Sequence, residues 1–119
     1  MGEKPNILCV GHINMDRVIH TESIPDPEQS RETQSSEGVG GGVTNTALLL
    51  ANNSSVGEVY LAGAIGEDKR AKDIEGVLEE EGVNTFFHIK PKTALIRAII
   101  TEDADPRYFH ENLSIPELI

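Results

Sequence analysis

The sequence is poor in cysteine, aromatic residues and basic residues. Its 119 residues include one cysteine, no tryptophan, two tyrosines and three phenylalanines. A single cysteine excludes an intramolecular disulfide, so the chain depends on a packed core, as is typical of a reducing compartment. That residue, Cys9, lies in the apolar run ILCV and is expected to be a small buried hydrophobic side chain.

Long hydrophobic runs are also missing. No window approaches the roughly 18 apolar residues of a membrane span, and the first residues, MGEKPN, lack the apolar segment of a secretory signal. Acidic residues outnumber basic residues 20 to 10, giving a net charge of −10, which repels a phosphate backbone. We therefore expect a cytoplasmic protein with no nucleic-acid and no membrane partner.

The sequence does contain apolar strands alternating with helices, on a scale that fits one small domain or part of one. The run NILCVG (6–11) predicts a strand covered on both faces, and EVYLAGAI (58–65) a second buried strand. From Thr44, NTALLLANN predicts a short core helix that is apolar on nearly all sides. A second helix follows Gly66, with Asp68 near its start and Gly82 at its end. Its predicted buried face comprises Ala71, Ile74, Val77 and Leu78.

This alternation predicts a parallel sheet with right-handed crossovers. The more polar segments 16–22 and 31–36 predict exposed strands. Three later β-rich segments, TFFHI, ALIRAIIT and RYFHE, are expected to add antiparallel strands to the α/β body. Residues 114–117, SIPE, predict a helix N-terminus. Because the chain stops about one turn later, we expect it to be the front part of a longer polypeptide.

A glycine cluster in residues 37–47, EGVGGGVTNTA, precedes the first helix. Such a cluster predicts positive φ angles or a ligand that approaches bare main chain. It is not a dinucleotide fingerprint, because the preceding QSSE is polar, and it is not a P-loop, because Val43 and Thr44 follow Gly42 where a lysine is required. A tight turn before a helix is the alternative explanation.

The segments GHINMD, VGGGVTNTALLLA, YLAGAIGED and LEEEGVNT, in this order and spacing, resemble the N-terminal region of the ribokinase-like (PfkB) carbohydrate kinases. The resemblance runs from about residue 6 to residue 118. It implies an α/β fold with a truncated ribokinase-like parallel-sheet body and a small antiparallel β-sheet lid. The implied lid strands are at about 16–37 and 85–111, and the implied body is at about 5–15, 38–84 and 112–119.

The resemblance also implies a set of substrate-binding residues. The glycine pair and the following asparagine would line a sugar pocket, and the N-x-D pair after the first strand would accept hydrogen bonds from sugar hydroxyls. In this sequence these positions are Gly40, Gly41, Asn45, Asn14 and Asp16. The resemblance also puts two residues of one strand face, Ile96 and Ala98, against the sugar, although plain packing within the lid explains that pair equally well.

By the same resemblance, the full-length family uses ATP and Mg²⁺ to phosphorylate a sugar hydroxyl, and relatives accept nucleosides or sugar phosphates. Its catalytic aspartate lies in a Gly-Ala-Gly-Asp segment that these 119 residues do not contain. No catalytic residue is therefore assigned, no ATP site is expected in this chain, and the chain alone is expected to be inactive. Some relatives have Lys and Gly where this chain has Gly42 and Val43, which leaves the sugar or related polyol unidentified.

Two other hypotheses remain open at this stage. The chain could be a non-catalytic fragment or a module that forms a homodimer through its lid, since a truncated sheet has an unpaired edge. It could also be a small acidic binding domain that folds alone. No metal site is predicted, because none of the four histidines has the i, i+4 spacing of a helix-borne metal pair.

Overall fold

Two β-sheets and two helices make up the computed structural model, which describes residues 2–113. In chain order the elements are β1 (Ile7–Val10), β2 (Asn14–Thr21), β3 (Gln34–Gly40), α1 (Gly42–Ala51), β4 (Val59–Ile65), α2 (Lys69–Glu80), β5 (Asn84–Ile89), β6 (Ala94–Thr101) and β7 (Arg107–Glu111). The predicted fold class, a parallel-sheet α/β body with a small β-sheet lid, is confirmed. The helix start expected at Ser114 lies outside the described residues.

The body is a three-stranded parallel sheet in the order β1-β4-β5. Alternate residues of its strands, among them Cys9 and Leu61, pack in one hydrophobic core with side chains of α1 and α2. On α2, Ile74 and Leu78 are fully buried, as the helical spacing predicts. The start of α2 is capped by Asp68, and Gly82 ends it with a φ of 79°.

The strand β5 differs from its sequence prediction. Residues 85–89 were expected in the lid, but β5 pairs in parallel with β4 and is the third strand of the body sheet among residues 2–113. The reason lies in the connection, because a short turn after α2 returns the chain beside the strand that precedes the helix, as in a βαβ unit. The residue types of TFFHI fit either sheet, so composition alone did not distinguish the two positions.

The second sheet, which we call the lid, has the strand order β3-β2-β6-β7. Its outer pairs, β2 with β3 and β6 with β7, are antiparallel, as expected. The central pair, β2 with β6, is parallel, so the lid is mostly antiparallel and β6 runs antiparallel to only one of its two neighbours. This parallel pairing is possible because α1, β4, α2 and β5 lie between β3 and β6 in the chain and let β6 return in the direction of β2.

One face of the body sheet is uncovered among the described residues. The prediction that β1 is covered on both faces was wrong for this part of the chain, because Leu8 is 59% exposed and Val10 is 55% exposed. The register places Phe86 on the same face, where it is 61% exposed and stacks on Tyr60. Both helices contribute to the core on the opposite face. We call this apolar surface of Leu8, Val10, Tyr60 and Phe86 the bare face.

Candidate functional site

The candidate site begins where β1 leaves the body and β2 enters the lid. Asn14 and Asp16, the first and third residues of β2, point to the same side of the strand because side chains alternate. The Asn14 amide Nδ2 donates a hydrogen bond to Asp16 Oδ1 over 2.5 Å. Asn14 is 1% exposed, whereas Asp16 is half-buried. The buried amide therefore orients the carboxylate, and Asp16 Oδ2 has no hydrogen-bond donor among residues 2–113.

The glycines of β3 make room for that carboxylate. Gly40 pairs with Asn14 in the antiparallel ladder, and a Cβ built on Gly40 would lie 2.2 Å from Asp16 Oδ2. Real Cβ atoms do not approach an oxygen so closely, so a side chain at position 40 would displace the Asp16 carboxylate from this position. The next residue, Gly41, has a φ of 100°, and its Cβ would lie 2.4 Å from the His12 carbonyl oxygen. Gly41 is therefore required by the backbone geometry, and Gly40 is required for the Asp16 carboxylate to keep this position.

The helix α1 starts immediately after these glycines. Gly41 is its N-cap residue, and the Asn45 N–H donates to the Gly41 carbonyl over 3.0 Å. The preceding N–H groups of the first turn have no intrahelical acceptor, as at any helix start. Asn45 is exposed in the same turn. The structure thus brings Asn14, Asp16, Gly40 and Gly41 into direct contact and places Asn45 one helical turn away.

Two further residues proposed from sequence lie on β6. Ile96 pairs with Asp16 and Ala98 pairs with Val18, so both lie on the Asp16 face of the lid. Ile96 is half-buried and Ala98 is 9% exposed. They form an apolar surface that continues outward from the carboxylate. No contact identifies either residue with a ligand, so their substrate role remains a prediction.

Gly11, in the connection between β1 and β2, leaves space for the β-branched side chain of Val43. A Cβ built on Gly11 would lie 2.9 Å from Val43 Cγ1, closer than side chains tolerate. Val43 therefore fills the space above Gly11 and packs against the body core. The sequence shows that position 43 is β-branched, but it gives no signal that Gly11 is the residue that makes space for it.

A surface hollow of about 700 Å³ lies at the far end of the lid. It is lined by residues including His20, Glu22, Glu32 and Gln34 and does not include Asp16. We place the candidate site at Asp16, because tight glycine contacts and an oriented carboxylate converge there. Among residues 2–113, no group of three or more His, Cys, Asp or Glu side chains is arranged to hold a metal ion. No helix in that range is long and apolar enough to cross a membrane.

Comparison with family models gives a match to the pfkB family carbohydrate kinases over residues 4–114. The chain belongs to this family. The matched range contains every residue of the candidate site, from Asn14 to Ala98. The predicted resemblance is therefore confirmed over nearly the whole chain.

Individual relatives agree with this assignment at the level of the fold. A nucleoside kinase from Methanothermobacter thermautotrophicus is 26% identical over 84 residues, which cover 71% of this chain and 27% of the relative. Ribokinase from Giardia lamblia superposes with a TM-score of 0.81 at 18% identity, covering 90% of this chain and 36% of that structure. The nucleoside kinase of Methanocaldococcus jannaschii gives a TM-score of 0.75 at 22% identity, with coverages of 93% and 38%. This chain thus spans about a third of the length of these relatives.

The glycine-rich turn beside Asp16 does not fit the phosphates of ATP, the cofactor expected for the full-length family. The glycine-rich turn holds the Asp16 carboxylate against Gly40, and a second anion, such as a phosphate, would be repelled there. The carboxylates and histidines of residues 2–113 do not form a metal-binding group. We therefore derive no step of phosphoryl transfer on these residues.

Proposed function

We propose that this chain supplies the substrate-binding and lid portion of an ATP-dependent carbohydrate kinase that phosphorylates a sugar hydroxyl. The observation that carries the proposal is the Asp16 carboxylate, held against the bare main chain of Gly40 and oriented by the buried Asn14 amide. An ionised acceptor forms hydrogen bonds roughly twice as strong as a neutral one. Adjacent sugar hydroxyls would donate to Asp16, and the Asn45 amide in the same region would donate and accept.

The apolar part of the site fits the carbon face of a sugar. Ile96, in register with Asp16, offers an aliphatic surface beside the carboxylate, and Ala98 continues it along the strand. A site with a few placed polar groups on an apolar wall is typical of small-molecule binding. A nucleoside or a sugar phosphate is the alternative substrate, because the two nucleoside kinases are among the similar proteins. The negative carboxylate favours an uncharged polyol over a sugar phosphate at this position.

The proposal is tested by calorimetric titration of the chain with ribose, fructose, adenosine and fructose 6-phosphate. We expect binding of at least one polyol, and we expect Asp16→Asn to weaken it by about tenfold or more, since hydrogen bonds to a charged group contribute about 1.5–3 kcal/mol. The control is Asp26→Asn, which removes the same charge at an exposed position of the lid. Equal affinity in all three proteins, or no binding to the unsubstituted chain, would contradict the proposed site.

A second candidate, a non-catalytic fragment that acts by association, is favoured by the bare face. Parallel sheets are almost always covered on both faces, yet Leu8, Val10 and Phe86 expose more than half of their surface. The hypothesis of a homodimer through the lid involves a different surface, the Asp16 face of the lid. There Tyr108 is 67% exposed and pairs with Ala98 on the Asp16 face of the lid.

Sedimentation equilibrium of four proteins distinguishes these two surfaces. We expect the unsubstituted chain to self-associate, and Phe86→Lys to abolish association by placing a charge on the bare face. Tyr108→Lys would abolish it instead if the lid is the interface. The matched control is Phe109→Lys, at a residue that is 58% exposed on the opposite face of the lid from Tyr108. A monomer at every concentration would contradict both association hypotheses.

A further inference from the structure

The body and the lid meet at Thr93, a residue that the sequence did not single out. It lies directly before β6 and is 2% exposed. The Thr93 hydroxyl donates to Asp68 Oδ1 over 2.6 Å. The hydroxyl oxygen of Thr93, Oγ1, also accepts a hydrogen bond from the Gly66 N–H over 2.9 Å. Its backbone N–H donates to Asp68 Oδ2 over 2.9 Å. Thr93 is thus bonded to the end of β4 and to the start of α2.

The Asp68 carboxylate does more than cap its helix. Its Oδ1 accepts from the Ala71 N–H over 3.0 Å, which is the ordinary capping bond. A serine could make that bond alone, because one short acceptor is sufficient. Asp68 also receives both donors of Thr93, so a single carboxylate joins α2 of the body to the residue directly before β6 of the lid.

The approach of the two segments is also fixed sterically. A Cβ built on Gly66 would lie 2.5 Å from the Thr93 nitrogen and 2.6 Å from the Lys92 carbonyl carbon. Gly66 therefore lets the connection from β5 to β6 cross directly over the end of β4. Burial of Asp68 raises its pKa, but the hydrogen bonds from the Thr93 hydroxyl, the Thr93 N–H and the Ala71 N–H outweigh it and hold the pKa below its ordinary value. Those donors thus favour the charged carboxylate.

The pairing of β6 with β2 connects Thr93 to the candidate site. Ala94, the next residue after Thr93, pairs with Asn14, and Ile96 pairs with Asp16. A displacement of Thr93 would therefore move the strand that lies beside the Asn14–Asp16 pair. We propose that Asp68 and Thr93 are positioning residues that fix the orientation of the lid over Asp16. This inference rests on the proposed function, because the orientation of the lid matters for activity only if a ligand binds at Asp16.

Other contacts also join the body and the lid: Met15 and Leu95 of the lid lie in the same hydrophobic core as the body strands, and the Lys90 ammonium donates to the Asn112 carbonyl. Arg70 of α2 lies 3.9 Å from the Glu37 carboxylate of β3, but both side chains are more than a third exposed, and such pairs contribute little. The Lys90 N–H donates to the Ile65 carbonyl, which continues the body pairing beyond β5. The part-buried Asp68–Thr93 contact ties the start of β6 to the start of α2 through two hydrogen bonds, so among the polar links its loss should release the lid most.

The test measures the orientation of the lid without any ligand. Spin labels at Glu79→Cys on α2 and Glu102→Cys in the lid, both exposed, report the distance between body and lid by double electron–electron resonance. Cys9→Ala removes the native thiol in every sample. Thr93→Val deletes the hydroxyl at nearly constant volume, and Thr93→Ser restores it. Asp68→Ser keeps an acceptor for the helix cap but is too short to reach Thr93.

We expect one narrow distance distribution in the unsubstituted protein and in Thr93→Ser, and a broader or shifted one in Thr93→Val and Asp68→Ser. Amide exchange at Gly66 should become about fivefold faster in Thr93→Val, the effect of one lost hydrogen bond. Asp73→Asn, which removes an exposed ion pair with Lys69 on the same helix, should change neither readout. If Thr93→Val does not fold, Asp68→Ser decides, because its helix remains capped.

An unchanged distance distribution in both Thr93→Val and Asp68→Ser would overturn the inference. Ligand affinity separates this failure from failure of the proposed function. If the unsubstituted chain binds a polyol, Thr93→Val should weaken binding by about fivefold and Thr93→Ser should restore it. If the chain binds no polyol, the proposed function fails, while the distances still decide whether Asp68 and Thr93 hold the lid.

Discussion

The Asp16 carboxylate of β2 fills the space that a side chain at position 40 of β3 would need. Asp16 and Gly40 lie on neighbouring strands, and the space that a Cβ would need is filled by the Asp16 oxygens. The glycines of residues 38–42 look alike in the sequence, but they differ in how closely other atoms surround them. Gly40 and Gly41 are sterically required, whereas Gly38 and Gly42 have open space around them.

We predict that Gly40→Ala abolishes polyol binding and lowers the free energy of unfolding by about 1–3 kcal/mol, because the new methyl group must displace Asp16. Gly38→Ala, two residues earlier on the same strand, should leave binding intact and change stability by less than about 1 kcal/mol. Urea unfolding and calorimetric titration of both variants check this pair. Equal behaviour of the two variants would show that the carboxylate moves aside without consequence.

Among the secondary-structure elements, α2 is the best specified by the sequence. Asp68 caps it, Gly82 ends it, and Ile74 and Leu78 occupy its buried side. Val77, predicted on the same side, is 37% exposed and lies at the margin. Start, stop and apolar spacing are all local signals, so they can be recognised without knowledge of the neighbouring elements.

The lowered pKa of Asp68 predicts a pH dependence of stability. Because the folded pKa lies below the ordinary value of 3.8, the ionised carboxylate stabilises the fold fully above that value, and this contribution is lost as the pH falls through the folded pKa. We expect the difference in unfolding free energy between the unsubstituted protein and Asp68→Asn to be constant above about pH 5 and to shrink toward pH 3. Urea unfolding at a series of pH values measures it.

The neighbouring charges Glu37, Lys69, Arg70 and Asp73 are present in both proteins, so the difference isolates Asp68. A difference that stays constant down to pH 3 would contradict the assignment of the lowered pKa to this carboxylate.

The strands show where local signals stop being sufficient. TFFHI and ALIRAIIT are both recognisable as strands, yet β5 joins the body and β6 joins the lid. The first is placed by its connection from α2 and the second by Thr93, which turns the chain from one sheet to the other. Neither partner lies close in sequence, so pairing could not be read from residue types.

For the molecule as a whole, net charge is the property that the sequence states most directly. Twenty acidic and ten basic residues leave a charge of −10 on 119 residues. Self-repulsion of this kind destabilises a compact state, and salt screens it over a Debye length of about 10 Å at 0.1 M and about 3 Å at 1 M. The four exposed or half-exposed ion pairs found among residues 2–113 oppose this repulsion, but each contributes little to stability.

We therefore predict that raising sodium chloride from about 0.05 M to 1 M increases the urea midpoint of unfolding. The control is the same salt series at about pH 4.5. There partial protonation of the carboxylates makes the negative net charge smaller, so salt should raise the urea midpoint less. A midpoint that falls with salt at neutral pH would mean that the ion pairs outweigh the repulsion.

By itself, the sequence determined the order of strands and helices, the capped ends of α2, the buried Cys9 and the family, because each depends on residues near one another in the chain. Tertiary structure alone decided the rest: that β5 joins the body, that β6 runs parallel to β2, that Asp16 occupies the space over Gly40, and that Thr93 bonds to Asp68. Each of these contacts joins segments distant in sequence, and their geometry exists only once both sheets have formed.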